Sequence, residues 1–178
     1  LSYMVVFLFL LLAAAPVDHV QAAALSIKVD GESRKYTGKQ VYITYDGNDV
    51  NMKNTPGIVI NGTSYVSYKN VFGDSKIGAK VSYSSKKKTI TISKYDTKIV
   101  MTLGSKTAVV NGKSVTMPNA PIKVTKDKKK VTKVLVPTEF VAKTLGYQYS
   151  WHADATTVTA EIVSRLAIKC DNKTSFYQ

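Results

Sequence analysis

The chain has 178 residues, a single cysteine, and 25 Lys and Arg against 12 Asp and Glu, which gives a net charge of +13. This length is enough for a hydrophobic core in one domain or two small ones, and the lone Cys170 excludes an internal disulfide framework. The positive charge predicts salt-dependent attraction to polyanions.

The N-terminal segment has the pattern of a signal peptide. Residues 5–17 form an uncharged apolar run that is too short for a comfortable membrane span, and small residues follow it up to Ala22 and Ala24. A buried core helix is the alternative, but the run lacks helical periodicity and polar partners. We therefore predict a signal peptide over residues 1–24, no stable transmembrane anchor after its cleavage, and a secreted or cell-wall-associated protein.

The region after the predicted signal peptide alternates apolar and polar residues, which is typical of half-buried antiparallel strands. Turn dipeptides separate these runs where a tight hairpin needs positive φ. The pairs are Asp30-Gly31, Asp46-Gly47, Asn61-Gly62 and Asn111-Gly112. The pattern predicts a series of β-hairpins.

Two segments break the alternation and predict short helices over residues 69–78 and 138–146, each ending on a glycine. In the second, Thr138 is the expected N-cap after Pro137. Its core-facing residues are expected to be Phe140, Val141, Thr144 and Leu145. The predicted fold class is α+β, mostly antiparallel β-sheet with two short helices.

The surroundings of the two helices match and predict an internal repeat. Each helix follows a hairpin, ends on glycine, and precedes a strand with aromatics, a polar turn and a further strand. We predict one domain over residues 25–165 with two related hairpin-helix-hairpin copies, about 26–94 and 95–165. Residues 166–178 are predicted to be a linker or a truncated tail.

Three stretches carry a family resemblance: "NGTSYVSYKNVFGDSKIGAKVSYSSKKKTITIS", "MTLGSKTAVVNGKSVTMPNAPI" and "VLVPTEFVAKTLGYQYSWHADATTVTA". Over residues 26–163 the chain resembles the copper amine oxidase N-terminal domain family, also called stalk domains. The resemblance implies a small α+β unit on secreted or surface proteins of Gram-positive-type bacteria, often attached to cell-wall amidases, peptidases or other hydrolases. Ser67 stands where the family pattern has the proline that Pro137 provides.

The resemblance implies no copper site, because the metal and the quinone of the name-giving oxidase belong to a separate catalytic domain. Outside residues 1–24, His152 and Cys170 are the only His and Cys, too few for a metal site. The carboxylates have structural interpretations. Glu139 suits a helix start, Asp154 a turn and Glu161 a solvent-facing strand position. We predict no catalytic, cofactor-binding or metal-binding residues.

Two lysine-rich loops are the candidate binding surfaces. They contain Lys86, Lys87 and Lys88 in the first loop and Lys126, Lys128, Lys129 and Lys130 in the second. One interpretation is solvated turns that keep edge strands from pairing. The other is attachment to an anionic cell-wall polymer or peptidoglycan. Nucleic acid is disfavoured because only two of the 25 cations, Arg34 and Arg165, are arginines.

Aromatic residues alternate along one predicted strand, so that Tyr147, Tyr149 and Trp151 share a face. If that face is buried, they pack against the second helix. If it is exposed, they form an aromatic ladder suited to glycan rings. The core interpretation is favoured for Trp151 and Tyr83.

The resemblance, together with the lysine-rich loops, implies a non-catalytic exported stalk or spacer module that associates with the cell wall or surface through basic loops and presents a partner or attached enzyme. The alternative is the accessory N-terminal part of a cell-wall hydrolase, such as an N-acetylmuramoyl-L-alanine amidase, whose catalytic domain is absent from this chain.

Overall fold

The computed structural model describes residues 25–53, 55–126, 131–170 and 173–177. The predicted signal peptide lies outside the described residues. The helices are α1 Tyr68–Val71 and α2 Thr138–Thr144. The strands are β1 Leu25–Val29, β2 Glu32–Tyr36, β3 Gln40–Tyr45, β4 Asn48–Asp49, β5 Gly57–Ile60, β6 Thr63–Ser67, β7 Lys80–Ser84, β8 Thr89–Lys94, β9 Thr97–Thr102, β10 Thr107–Val110, β11 Lys113–Thr116, β12 Ile122–Lys126, β13 Val131–Pro137, β14 Gln148–Ala153, β15 Thr157–Val163, β16 Leu166–Cys170 and β17 Lys173–Tyr177.

The strands form three sheets, and the predicted α+β class is confirmed. The largest sheet has the order β14-β15-β3-β5-β6-β13-β12-β1-β2, with β4 paired to β3. The second has the order β11-β10-β9-β8-β7, and β16 pairs with β17 in a separate hairpin within the predicted tail. Among the described strands, all pairings are antiparallel except that of β15 with β3.

The four predicted turn dipeptides all connect paired strands, and both residues of each pair have positive φ. Asn61 and Gly62, for example, have φ of 48° and 71° between β5 and β6. Asparagine, aspartate and glycine tolerate this left-handed conformation better than other residues do. The hairpin prediction is therefore confirmed at these four positions.

Helix α2 agrees with its prediction, apart from its cap. Val141 and Leu145 are buried, Phe140 and Thr144 are half-buried, and Gly146 follows the helix with φ of 88°. The N-cap is Pro137 rather than Thr138 and makes no side-chain capping bond. The Thr138 hydroxyl is used elsewhere, since it donates to the Ser64 carbonyl oxygen at 2.9 Å.

The predicted first helix over residues 69–78 is wrong in length, because α1 covers only Tyr68–Val71 before the chain continues in turns. A Cβ on Gly73 would lie 2.6 Å from the Lys69 carbonyl oxygen, so this position holds a close backbone approach. The helix nevertheless begins at a well-formed corner. Ser67 Oγ accepts a hydrogen bond from the Asn70 amide at 3.3 Å.

The two corners before the helices have the same backbone shape. Ser67 has φ and ψ of −63° and 116°, and Pro137 has −60° and 112°. The strands leading to them, β6 and β13, pair with each other in a register that sets Val66 opposite Val136. Both halves therefore share the order hairpin, helix, hairpin, while their descent from one repeat stays a prediction.

The main hydrophobic core joins the ten-stranded and five-stranded sheets. It contains Val41, Ile43, Val66 and Val136 from the first sheet and Ile90, Ile92, Ile99 and Met101 from the second, together with Phe72 and Ile77. A smaller core lies on the other face of the ten-stranded sheet and contains Ile27, Val29, Ile58, Tyr65, Ile122 and Leu135. No helix in the described part of the chain has the length and hydropathy of a membrane span.

Candidate functional site

The first predicted lysine loop is the turn between β7 and β8. Lys86, Lys87 and Lys88 are all exposed, and the Lys87 amide donates to Ser84 Oγ at 3.3 Å. Lys88 has φ of 53°, in the left-handed region that lets the backbone bend tightly here. This arrangement fits both a solvated turn and a binding surface.

The second predicted lysine loop is described only at its edge. Lys126 ends β12, while Lys128, Lys129 and Lys130 lie outside the described residues. The flanking strands β12 and β13 belong to the ten-stranded sheet, whereas β7 and β8 belong to the five-stranded one. The two candidate loops therefore arise from different sheets.

The residues considered as candidate acids, bases or metal ligands each lie in a different environment. Glu139 Oε1 forms an ion pair with Lys143 at 2.6 Å on the exposed side of α2. His152 is exposed within β14. Glu161 is half-buried rather than fully solvent-facing. In the ranges that the structure describes, no group of three or more His, Cys, Asp or Glu could hold a metal ion.

Trp151 contradicts the prediction of a buried indole, because 60% of the residue is exposed. The predicted face is nevertheless the core face. In the sheet, Trp151 is aligned with Ala160 of β15 and Ala160 with Ile43 of β3, which are 0% and 2% exposed. The indole is left uncovered because β14 is the edge strand of this sheet.

Tyr83 and Tyr147 occupy different positions from Trp151. Tyr83 is half-buried and packs against the main core. Tyr147 is buried, and its ring meets that of Tyr45 edge-on at 5.7 Å between centroids. Burial, with the neighbouring Tyr45 phenol, raises the pKa of Tyr147. The aromatics of this segment are thus divided between the core and an open surface.

The open surface is a cleft of about 630 Å³, which we call the aromatic cleft. One wall is the core face of β14 and β15, which presents Tyr149, Trp151, Ala153 and Val158. The other wall joins the start of α2 to the β5–β6 hairpin and two neighbouring loops. It consists of Pro137, Glu139, Phe140, Val59, Gly62, Thr63, Ser64, Gly38, Lys39 and Pro118. Its volume is within the range of small-molecule sites, about 300–1,000 Å³.

Hydrogen bonds fix the walls of the aromatic cleft. The hydroxyls of Tyr149 and Ser64 are 2.7 Å apart, and Asn119 Nδ2 donates to Thr63 Oγ1 at 2.7 Å. Burial raises the pKa of Tyr149, so this phenol stays neutral at physiological pH. Lys39 Nζ donates to the Asp154 carbonyl oxygen at 2.5 Å and so holds the loop beside β15.

Sequence reasoning left the aromatic ladder open as an alternative but did not find the cleft. The alternation of Tyr149 and Trp151 identified one wall correctly. Most of the other wall comes from the distant β5–β6 hairpin and the loops at Gly38 and Pro118, which no local pattern connects to β14.

The fold and its surfaces define a β-rich α+β module with a basic hairpin and an aromatic cleft. The family model of the copper amine oxidase N-terminal domain matches residues 44–160, and the chain belongs to this family. The match concerns the N-terminal domain alone, which is compatible with a non-catalytic module. Comparison with curated proteins gave no match, and comparison with solved structures gave none.

Proposed function

We propose that the chain is a non-catalytic, exported stalk or spacer module that associates with the bacterial cell wall through its basic loops and presents a partner or attached enzyme. The observation that carries this proposal is the exposed cluster of Lys86, Lys87 and Lys88 on a chain with a net charge of +13. Membership of the N-terminal domain family supports the non-catalytic part.

The mechanism is electrostatic and diffuse. Flexible lysine side chains neutralise anionic groups without the fixed fork geometry of arginine, so they suit a polymer of repeated phosphates or carboxylates. The ligand is an anionic wall polymer or peptidoglycan. Counterion release makes such binding weaken as salt rises.

The test is co-sedimentation of the purified protein with cell walls, with and without their teichoic acid, at low and high salt. We expect replacement of Lys86, Lys87 and Lys88 by Gln to weaken retention at low salt and to leave the fold intact. Replacement of the exposed Lys98, Lys106 and Lys113 by Gln is the matched control, since it removes the same charge elsewhere. The proposed role of Lys86, Lys87 and Lys88 is contradicted if retention on the cell walls does not change with salt concentration, or if both triple variants lose retention equally.

A second candidate is the accessory N-terminal part of a cell-wall hydrolase, such as an N-acetylmuramoyl-L-alanine amidase. It is favoured by the match to a family defined as the N-terminal domain of a larger enzyme. Reading the gene beyond the codon for Gln178 distinguishes the two, because a hydrolase requires a catalytic domain there.

A further inference from the structure

The proposed wall attachment through the β7–β8 hairpin, which carries Lys86, Lys87 and Lys88, gives no role to the aromatic cleft. The cleft belongs to the ten-stranded sheet and the hairpin to the five-stranded one, so the two surfaces are separate features. An indole that is 60% exposed is unusual, because a large apolar side chain gains most from burial. This uncovered ring lies at the border of a concave surface and is available to a ligand.

We propose that the aromatic cleft binds a saccharide, with a pyranose ring stacked on the indole of Trp151. This inference goes beyond the proposed wall attachment, because it assigns a second site that recognises the sugar ring itself, whereas the lysine loops recognise negative charge.

The cleft has flat apolar surfaces that match the apolar face of a sugar ring. Trp151, Tyr149 and Phe140 contribute aromatic rings, and Pro118 and Pro137 contribute compact apolar ones. A pyranose presents a face of C–H groups that packs on an aromatic ring, while its hydroxyls point outward around the edge. The cleft and the sugar therefore match in shape and in the position of their apolar faces.

The cleft also has polar groups that match the hydroxyls of a sugar. Glu139, whose Oε1 is paired with Lys143, offers its second carboxylate oxygen as an acceptor, and the ammonium group of Lys39, which donates one hydrogen bond to the Asp154 carbonyl oxygen, has further N–H donors. A purely apolar ligand would cover these charges without replacing their water, which is costly. Sugar hydroxyls both donate and accept, so one kind of ligand serves the flat rings and both charges.

The lining also distinguishes a saccharide from a peptide. A peptide that extends a sheet bonds to the free backbone edge of a strand, whereas Tyr149, Trp151 and Ala153 line the cleft from the face of β14. A proline-rich peptide offers carbonyl acceptors but few N–H donors, so it would leave the acceptor capacity of the Glu139 carboxylate unmatched. The Tyr149 hydroxyl already bonds with Ser64, so Tyr149 presents chiefly its ring.

The cleft is preorganised. The Ser64 hydroxyl bonds with Tyr149 across the two walls, and the Ser64 carbonyl oxygen accepts a bond from Thr138 at the start of α2. The walls are thus connected before any ligand arrives, which reduces the entropy lost on binding.

The experiment uses the fluorescence of Trp151, which is the only tryptophan of the chain and therefore reports on this cleft alone. The purified protein is titrated with a soluble β-1,4-linked N-acetylglucosamine tetramer and, separately, with cellotetraose. We expect a saturable change in emission with at least one of them. A proline-rich peptide is the third probe.

Calorimetric titration of variants locates the binding. Trp151→Ala is expected to weaken binding about tenfold or more, the effect of losing a stacking contact, and Glu139→Gln to weaken it by a smaller factor. Tyr42→Ala is the matched control. Tyr42 is exposed and is aligned through Thr159 with His152, on the opposite face of the same sheet from Trp151, so this variant is expected to bind as the unchanged protein does.

The outcomes are distinct. Absence of saturable binding to both oligosaccharides, saturation by the peptide alone, or equal weakening by Tyr42→Ala and Trp151→Ala overturns the proposal. Glu139→Gln keeps the size of its side chain and so tests the site even if Trp151→Ala fails to fold. The variant with Lys86, Lys87 and Lys88 replaced by Gln is expected to bind the oligosaccharide normally. A failure of the proposed wall attachment can therefore be distinguished from a failure of saccharide binding.

Discussion

At the scale of single residues, Asp154 shows how a turn is stabilised by one carboxylate. Its Oδ1 accepts hydrogen bonds from the amides of Thr156 and Thr157 at 2.9 and 2.7 Å, and its Oδ2 accepts one from Thr157 Oγ1 at 2.5 Å. These bonds favour the ionised form and lower the pKa of Asp154 to about 2. The turn between β14 and β15 therefore depends on a charged aspartate.

The pH dependence follows from this shift. Because the pKa of Asp154 is lower in the folded chain than its ordinary value of 3.8, its contribution is present above that value and is lost as the pH falls towards about 2. We expect Asp154→Asn to lower the melting temperature at neutral pH, and the difference from the unchanged protein to shrink in acid. Thermal unfolding across this pH range measures it.

Asp96→Asn, at an exposed turn position, is the control for the loss of one negative charge. A melting-temperature difference for Asp154→Asn that stays constant down to the lowest pH contradicts the assigned pKa shift.

Trp151 shows which part of a residue's environment the sequence determines. Alternation correctly predicted its face, because neighbouring side chains along a strand point to opposite sides. Burial also requires a second layer over that face. Whether an edge strand is covered depends on how α2 and the β5–β6 hairpin are placed around it, and the hairpin is distant in sequence from Trp151, so the core assignment was wrong.

At the scale of elements, the two helices show how one corner shape supports different lengths. Ser67 and Pro137 place the chain in the same conformation, and proline provides this φ through its ring. Ser67 instead caps α1 by accepting a hydrogen bond from the Asn70 amide. The shorter helix α1 thus has a side-chain cap, and the longer helix α2 has none.

We expect Ser67→Ala to destabilise the chain by about 1 kcal/mol, because the Asn70 amide at a buried helix start loses its acceptor. Urea unfolding measures the loss. Ser75→Ala, at an exposed position after α1, is expected to change stability by less than about 0.5 kcal/mol. Equal effects of the two substitutions count against the capping role.

The elements that were predicted well are those fixed by local chemistry. The Asp-Gly and Asn-Gly turns depend on φ preferences of the residues themselves, and α2 follows from its apolar spacing and Gly146. The first helix was predicted too long because the helical spacing of apolar residues continues through Gly73. In the structure, the backbone at Gly73 lies close to the Lys69 carbonyl oxygen. A Cβ at Gly73 would also lie 2.9 Å from Val81 Cγ2 of β7, so packing against this strand contributes to the end of the helix.

At the scale of the whole molecule, the main core makes the two large sheets interdependent. Ile92 of the five-stranded sheet and Ile43 of the ten-stranded sheet belong to the same cluster of buried residues. Domains that share one core commonly unfold in a single transition.

We expect Ile92→Ala to destabilise the chain by about 2–5 kcal/mol, because it leaves a cavity in this core. The emission of Trp151, which reports on the ten-stranded sheet, should shift together with far-ultraviolet circular dichroism. Val109→Ala, at an exposed position of the same five-stranded sheet, is the control and should have a small effect. Separate transitions for the two signals indicate that the sheets unfold independently.

The pairing of β6 with β13 has a consequence for chains shortened to the first half. Val66 faces Val136, with Ser67 opposite Leu135 and Tyr65 opposite Pro137, so the two strands are related by a local dyad at the centre of the sheet. A fragment ending near Lys94 keeps β6 but loses its neighbour, and the same edge of a second fragment is the nearest geometric replacement. Such a fragment also lacks about half of the main core, so we expect it to expose β6 as an association-prone edge rather than to form a stable folded half.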